Sequence, residues 1–260
     1  MGSMRGNVVC LPKSGSSYVA DLLGGAAVHE YDHARISMLA LERDPVAQAA
    51  LAAYYLHARG EELLGRIDVC TSKIFLLSCL NECECALPTV FLFRDPLHWC
   101  RSILSYSISV ARSGGYQDWV SQFQALFCGD YPLTLSDLSC ERSLVKHISA
   151  LLPGLVGLWF RSYSSVLSRL PFFRQPLLLV TSSLSNSNSE ILAHFSVADL
   201  PSGFRSSKKV NPSMPFSLIA DECRAYFHGY SPLPARVTAQ SMNEYLRAFA
   251  DWCESPLLEA

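Results

Sequence analysis

Within five positions, Lys13, Ser14, Gly15, Ser16 and Ser17 sit between an apolar run, Asn7-Val8-Val9-Cys10-Leu11, and an amphipathic one, Tyr18 to Leu23. A strand, a tight turn and a helix in that order make an anion site. The first N–H groups of a helix have no partner within it and carry the positive end of its dipole. Gly15 lets the backbone come close to a phosphate, the serine hydroxyls add donors, and Lys13 adds a full charge. The turn is not a Walker A loop, whose Lys follows its second Gly; here Lys13 precedes the turn's only Gly. A second cation, Arg94, follows the apolar run Thr89-Val90-Phe91-Leu92-Phe93 and precedes Asp95-Pro96. An Arg at a strand's carboxyl end lies where open α/β sheets bind ligands, and its planar fork suits phosphate. Ser102, eight residues on, falls about two turns into the next helical run and can face the same cleft.

The order Pro12-Lys13-Ser14-Gly15-Ser16-Ser17 resembles the 5′-phosphosulfate loop of sulfotransferases that use 3′-phosphoadenosine-5′-phosphosulfate (PAPS). Arg94 and Ser102 are similar, in type and spacing, to the pair that binds the 3′-phosphate in that family. Lys73, 21 residues before Arg94, resembles a Lys of the cytosolic members. Phe204-Arg205-Ser206-Ser207-Lys208-Lys209 looks like a degenerate form of the loop that closes over the 3′-phosphate, without its Gly. The likeness covers roughly residues 7–215. It implies a P-loop-NTPase-like sulfotransferase fold, an α/β domain with a mainly parallel sheet flanked by helices. It also implies transfer of a sulfuryl group from PAPS to a hydroxyl or amine of a small molecule, releasing 3′,5′-ADP. Lys13, Ser14, Gly15, Ser16, Ser17, Arg94, Ser102, Arg205, Lys208 and Lys209 would then hold the nucleotide.

Sulfuryl transfer needs a proton acceptor and a cation at the leaving group. Lys13 suits the leaving group, and Lys73 is expected to assist. Cytosolic members place a His two residues after the Lys that Lys73 resembles, and this chain has Phe75 there. Other members use a Glu after the first helix, where this chain reads Val28-His29-Glu30-Tyr31-Asp32-His33. Glu30 is the first choice as base and His33 the second; a solvated polar loop is the plainer alternative. His29 to His33 also fits the zinc pattern His-Glu-x-x-His. Gly24-Gly25 just before it would end a helix rather than lead one, and no third ligand is signposted, so no metal is expected. Cys79, Cys83 and Cys85 lack a partner pair for a zinc site.

The 260 residues are half hydrophobic and 17% charged with net charge −2. That composition suits a globular chain and speaks against nucleic acid or an anionic membrane as partner. Ten scattered cysteines and no leader sequence suit a reducing cytoplasm. The longest apolar run, Ile148 to Phe160, has 13 residues, short of a bilayer span. Met1-Gly2-Ser3 reads as an expression scar, and residues 4–260 as a single domain with no internal boundary.

Hydrophobic periodicity predicts strands near Val8–Leu11, Ile67–Cys70, Thr89–Phe93 and Gln175–Val180, with a short segment around Ala26–His29. It predicts helices over Ser16–Leu23, Pro45–Leu64, Leu97–Val110, Gln117–Phe127 and Ala235–Cys253, a short helix ending at Phe195, and one over Glu141–Leu170 broken at Pro153-Gly154. Pro201–Ser217 reads as a loop, and Tyr31, Trp99, Tyr106 and Trp119 as acceptor-lining aromatics. Two other readings stand beside the transferase: a nucleotide or small-molecule kinase, which would want a Walker A Lys and a Mg²⁺-binding Asp, and a nucleotide-binding module without a base.

Overall fold

The structure, a computed structural model, describes residues 6–29, 46–47, 49–50, 53, 63–113, 123, 131–198 and 216–254. Five strands form one all-parallel sheet: β1 (Gly6–Cys10), β2 (Ala27–His29), β3 (Ile67–Cys70), β4 (Thr89–Phe93) and β5 (Pro176–Val180), in the order β2-β3-β1-β4-β5. The main helices are α1 (Ser16–Leu23), α2 (Pro96–Ser113), α3 (Glu141–Arg169), α4 (Asn188–His194), α5 (Ser217–Tyr226) and α6 (Ala239–Cys253). The expected α/β class and parallel sheet are present. The expected helices over 45–64 and 117–127 and the loop over 201–217 lie almost wholly outside the described residues.

The chain divides into two compact units, each described by itself. The first holds the whole sheet with α1, α4 and the end of α3 from Ser162; the second holds α2, the start of α3, α5 and most of α6. The first two passages of the chain from one unit to the other fall after Arg94, at the end of a strand, and after Arg161, inside a helix. Neither place carries a shift in composition.

In the first unit β1, β3 and β4 are buried along their whole length. They therefore read as unbroken apolar runs, the pattern of parallel strands covered on both faces. One face packs Val8, Cys10, Ile67, Val69, Val90, Leu92 and Leu179 against Val19, Leu22 and Leu23 of α1, with Leu184, Ile191 and Phe195. On the other face Phe91 meets Phe173 edge-on at 5.0 Å, and Phe93 lies 4.8 Å from the ring of Tyr163 near the end of α3.

The second unit is held by aromatic packing and a buried cap. Trp159 lies 5.1 Å from Phe249, and Phe227 stacks on Trp252 at 5.5 Å. Asp95, just before Pro96, caps α2 by accepting from His98 N at 3.2 Å. Its carboxylate also accepts from the Tyr230 hydroxyl at 2.7 Å and from Leu233 N at 3.0 Å, fixing the chain after α5.

The predicted break at Pro153-Gly154 does not occur: α3 runs unbroken through 29 residues. Proline costs a helix interior roughly 3 kcal/mol. Leu151, Leu152, Leu155 and Val156 are all buried around it, while Pro153 and Gly154 face outward. The burial offsets the lost hydrogen bond. By length and hydropathy, the segment Glu141–Phe172 is the one helix among the described residues long and apolar enough to cross a membrane. The length argument drawn from the 13-residue run therefore does not hold. Buried Leu144, Ile148, Leu151, Leu155 and Trp159 recur at helical spacing, the stripe of a helix packed on one side.

Lys73 departs furthest from its expected role. Only 1% exposed, its ammonium pairs with Asp68 at 2.8 Å and Glu84 at 3.2 Å and donates to Asn7 Oδ1 at 2.5 Å. Asn7 and Asp68 are register partners near the amino ends of β1 and β3. Asn7 stands three residues before the end of β1, about 10 Å from the sheet's carboxyl edge at the usual rise per residue. The 3₁₀ stretch Ser72–Cys79 turns Lys73 down onto the strands. It is an internal tie between β1, β3 and the helical turn Glu82–Cys85, not a group that faces a ligand. Lys73→Met should destabilise the fold by about 3–5 kcal/mol, because it leaves two buried carboxylates without their cation. Urea unfolding measures this, and an unchanged midpoint would contradict the tie.

Candidate functional site

The strand order reverses between β1 and β4. From β1 the chain goes on to β2 on one side of the sheet; from β4 it goes on to β5 on the other. In open parallel sheets, the crevice beyond the carboxyl ends of two such strands is where ligands bind. Lys13 lies three residues past the end of β1, and Arg94 immediately past the end of β4. The two cations predicted from the sequence thus belong to the two strands that flank the switch point, and both are in the first unit.

The turn between them has an unusual backbone. Gly15 takes φ 98° and caps α1 from the left-handed region, and Lys13 also has a positive φ, 65°. For a lysine this conformation stores roughly 1–2 kcal/mol. Turns of this kind gather successive N–H groups into an anion-binding concavity, and α1 has no side-chain cap over its first turn. A Cβ on Gly15 would come within 2.6 Å of Leu184 Cδ1, so the position is closed to other residues on space as well as on φ.

Two hydroxyls, one buried and one half-buried, hold the turn to β4. The Tyr163 phenol donates to Leu92 O at 3.2 Å and accepts from Arg94 N at 3.3 Å. Its one proton being used, the Ser14 hydroxyl 3.4 Å away is the donor of that pair. Burial pushes the Tyr163 phenol well up, so it stays a neutral donor. Thr181 Oγ1 lies 2.8 Å from Ser14 O and 3.0 Å from Phe93 O, bridging the same two strand ends. The Arg94 guanidinium donates to Lys13 O. Burial, and after it the charge of Arg94, lowers the Lys13 pKa from its ordinary value. Two cations packed this closely favour an anion between them.

The predicted residues separate by role. Lys13, Gly15 and Arg94 share one place. Ser14 is fully buried and turns inward to Tyr163 instead of outward. Ser16 is buried with its hydroxyl 3.1 Å from His29 Nε2, and Ser17 is exposed at the start of α1. Ser102 belongs to the second unit, half-buried on α2. Glu30, His33, Arg205, Lys208 and Lys209 lie outside the described residues, as do Tyr31 and Trp119. Trp99, expected to line an acceptor pocket, is fully buried in the second unit. Tyr163 and Thr181 were not singled out by sequence, and nothing in their local pattern marks them. His29 was read only as part of a zinc pattern; the structure puts its imidazole on the loop. Among the described residues no group of three or more His, Cys, Asp or Glu side chains is placed to hold a metal ion.

A separate cavity of about 240 Å³ opens along β5, lined by Leu178, Ser183, Glu190 and Arg236 among others. None of the turn residues lines it.

Because Lys13 is held in a left-handed turn, Lys13→Gly should not weaken the fold despite removing a side chain. Relief of roughly 1–2 kcal/mol of strain outweighs glycine's extra entropy loss of about 0.5–1 kcal/mol. Denaturant unfolding should give an equal or higher midpoint, and a clear fall would mean the turn is not strained.

Compared with protein-family models, with curated proteins and with solved structures, the chain matches none.

Proposed function

We propose that the chain binds a 3′-phosphorylated adenine nucleotide at the Lys13–Ser17 turn and transfers a sulfuryl group from PAPS to a small-molecule hydroxyl or amine. The observation that carries the reading is the pairing of Lys13 and Arg94 at the carboxyl ends of β1 and β4, on either side of the switch point. One turn that offers N–H groups and a second cation one strand away suit a ligand with two separated phosphates better than a lone phosphate. In this reading Lys13 stabilises the charge that grows on the leaving 5′-phosphate, where a preorganised cation acts most strongly. Arg94 reads the 3′-phosphate, which does not change during the reaction. The proton acceptor comes from the segment after β2, with Glu30 or His33 in that role. Lys73 has no part in it.

The reading predicts a nucleotide preference. At about 100 times its Kd, 3′,5′-ADP should stabilise the fold by about 2.7 kcal/mol. For a chain of this size that is a rise in Tm of roughly 5–10 °C. ATP, without a 3′-phosphate for Arg94, should give much less. An equal shift with both nucleotides would remove the PAPS assignment, and a larger one with ATP and Mg²⁺ would favour a kinase.

Binding should also depend on pH through Lys13. A base whose folded pKa is lowered is charged only below that value, so affinity is full below it. It falls as pH rises through the lowered pKa, in a window below 10.5, the ordinary lysine value. Titration calorimetry with 3′,5′-ADP across this range should show the fall in the wild type and lose it in Lys13→Gln. A profile flat up to 10.5 would mean that Lys13 does not face the anion.

A further inference from the structure

A second chemical constellation lies in the other unit, far in sequence from the turn, and does not rest on the reading above. The Tyr131 hydroxyl is 2.8 Å from His147 Nδ1, and His147 Nε2 is 3.2 Å from Asp137 Oδ1. The other carboxylate oxygen, Asp137 Oδ2, accepts from Thr134 N at 2.8 Å and from Thr134 Oγ1 at 2.6 Å. Thr134 and Asp137 form a capping box on the single helical turn Leu135–Leu138, which fixes the carboxylate in place. His147 sits on α3, so the three groups come from a loop, a helical turn and a long helix.

The hydrogen-bond directions follow. Bonds from Thr134, and to a smaller extent His147, hold the Asp137 carboxyl below its usual range, so it is an acceptor only. The imidazole must then carry its proton on Nε2 to donate to Asp137. That leaves the Nδ1 lone pair facing the phenol, and Tyr131 is the donor. A hydroxyl on an imidazole lone pair, with the far imidazole nitrogen on a fixed carboxylate, is the arrangement that activates a nucleophile. The site is open to small reagents: the side chains of His147 and Asp137 are 26% and 24% exposed, and Tyr131 is half-buried.

We propose that Tyr131, His147 and Asp137 activate the Tyr131 phenol as a covalent acceptor for a sulfonyl or acyl group carried on a good leaving group. The phenolic oxygen attacks the electrophilic sulfur or carbon, the bond to the leaving group breaks, and the phenolic proton passes to His147 Nδ1. Asp137 stabilises the imidazolium that results. Water then takes the proton, and the set is left with an O-substituted tyrosine. No oxidant or metal is needed.

The probe is an aryl sulfonyl fluoride, which loses fluoride as the oxygen–sulfur bond forms. The intact chain is treated and the site and rate of modification are read by mass spectrometry of its peptides. Tyr131 should react about 10²-fold faster in the wild type than in His147→Gln, the low end of what a positioned base contributes. Asp137→Asn should also slow it, and Tyr131→Phe should remove the added mass at that peptide. A second measurement needs no variant: Tyr131 should react faster in the native chain than in urea, although unfolding exposes it. A purely structural tie predicts the reverse. Equal rates in the wild type and His147→Gln, or faster reaction in urea, would overturn the proposal.

Discussion

The first unit depends on the burial of β1, the middle strand of five, which is covered on both faces and paired on both edges. A strand so enclosed must settle its polar groups within the protein, and it does so differently at its two ends. At the amino end Asn7 joins Asp68, Glu84 and Lys73 in a closed cluster with a cation on two carboxylates. At the carboxyl end the chain turns through Lys13 and Gly15 with positive φ, and α1 begins without a side-chain cap. One end gathers carboxylates around a buried ammonium, and the other gathers backbone N–H groups beside two cations. In parallel sheets the first kind of end supports the fold and the second binds ligands.

Two lysines make the contrast concrete. Lys73 follows β3 by three residues and Lys13 follows β1 by three residues, so position relative to a strand does not tell them apart. Lys73 enters a 3₁₀ stretch that folds back over the sheet and delivers its ammonium to carboxylates. Lys13 stays in a turn that Tyr163 and Thr181 fasten to the end of β4, next to another cation. A buried cation on two anions is held for stability, whereas a cation pressed towards a like charge is tolerated only where an anion relieves it. Family likeness gave Lys73 a catalytic place, and the local electrostatics remove it.

What the sequence revealed depended on how local the signal was. The strand Ile67–Cys70 and the helix Ser16–Leu23 have the predicted bounds, because each is a short periodic run ended by strong breakers or caps. The strand that ends before Arg94 is in place, and with it both cations of the candidate site. The break at Pro153 failed because a backbone rule was set against burial on both sides of it. The helix Ser217–Tyr226 has no counterpart among the expected elements, and no side-chain cap marks its start. Asp95 belongs to the Arg-Asp-Pro motif and caps α2 locally, yet its work as an anchor for Tyr230 and Leu233 depends on residues more than 130 positions away. The hydroxyls of Tyr163 and Thr181 were out of reach for the same reason. Serine, threonine and tyrosine are common, and only tertiary contact marks these two.

The loop serines bring the last distinction. Sequence reading gave all three to a phosphate, on the ground that hydroxyls near a helix start are donors. In the fold each has a different environment: Ser14 is spent inside on Tyr163, Ser16 is engaged with His29, and Ser17 lies open at the first turn of α1. A ligand at this turn therefore meets backbone N–H groups, Lys13 and, of the three hydroxyls, that of Ser17. Backbone donors are fixed by the fold and reorganise little, so they favour an anion by its charge and shape and read little of its identity. On the proposed reading, discrimination between nucleotides comes from outside the turn, and Arg94, placed one strand away, is the cation given that part.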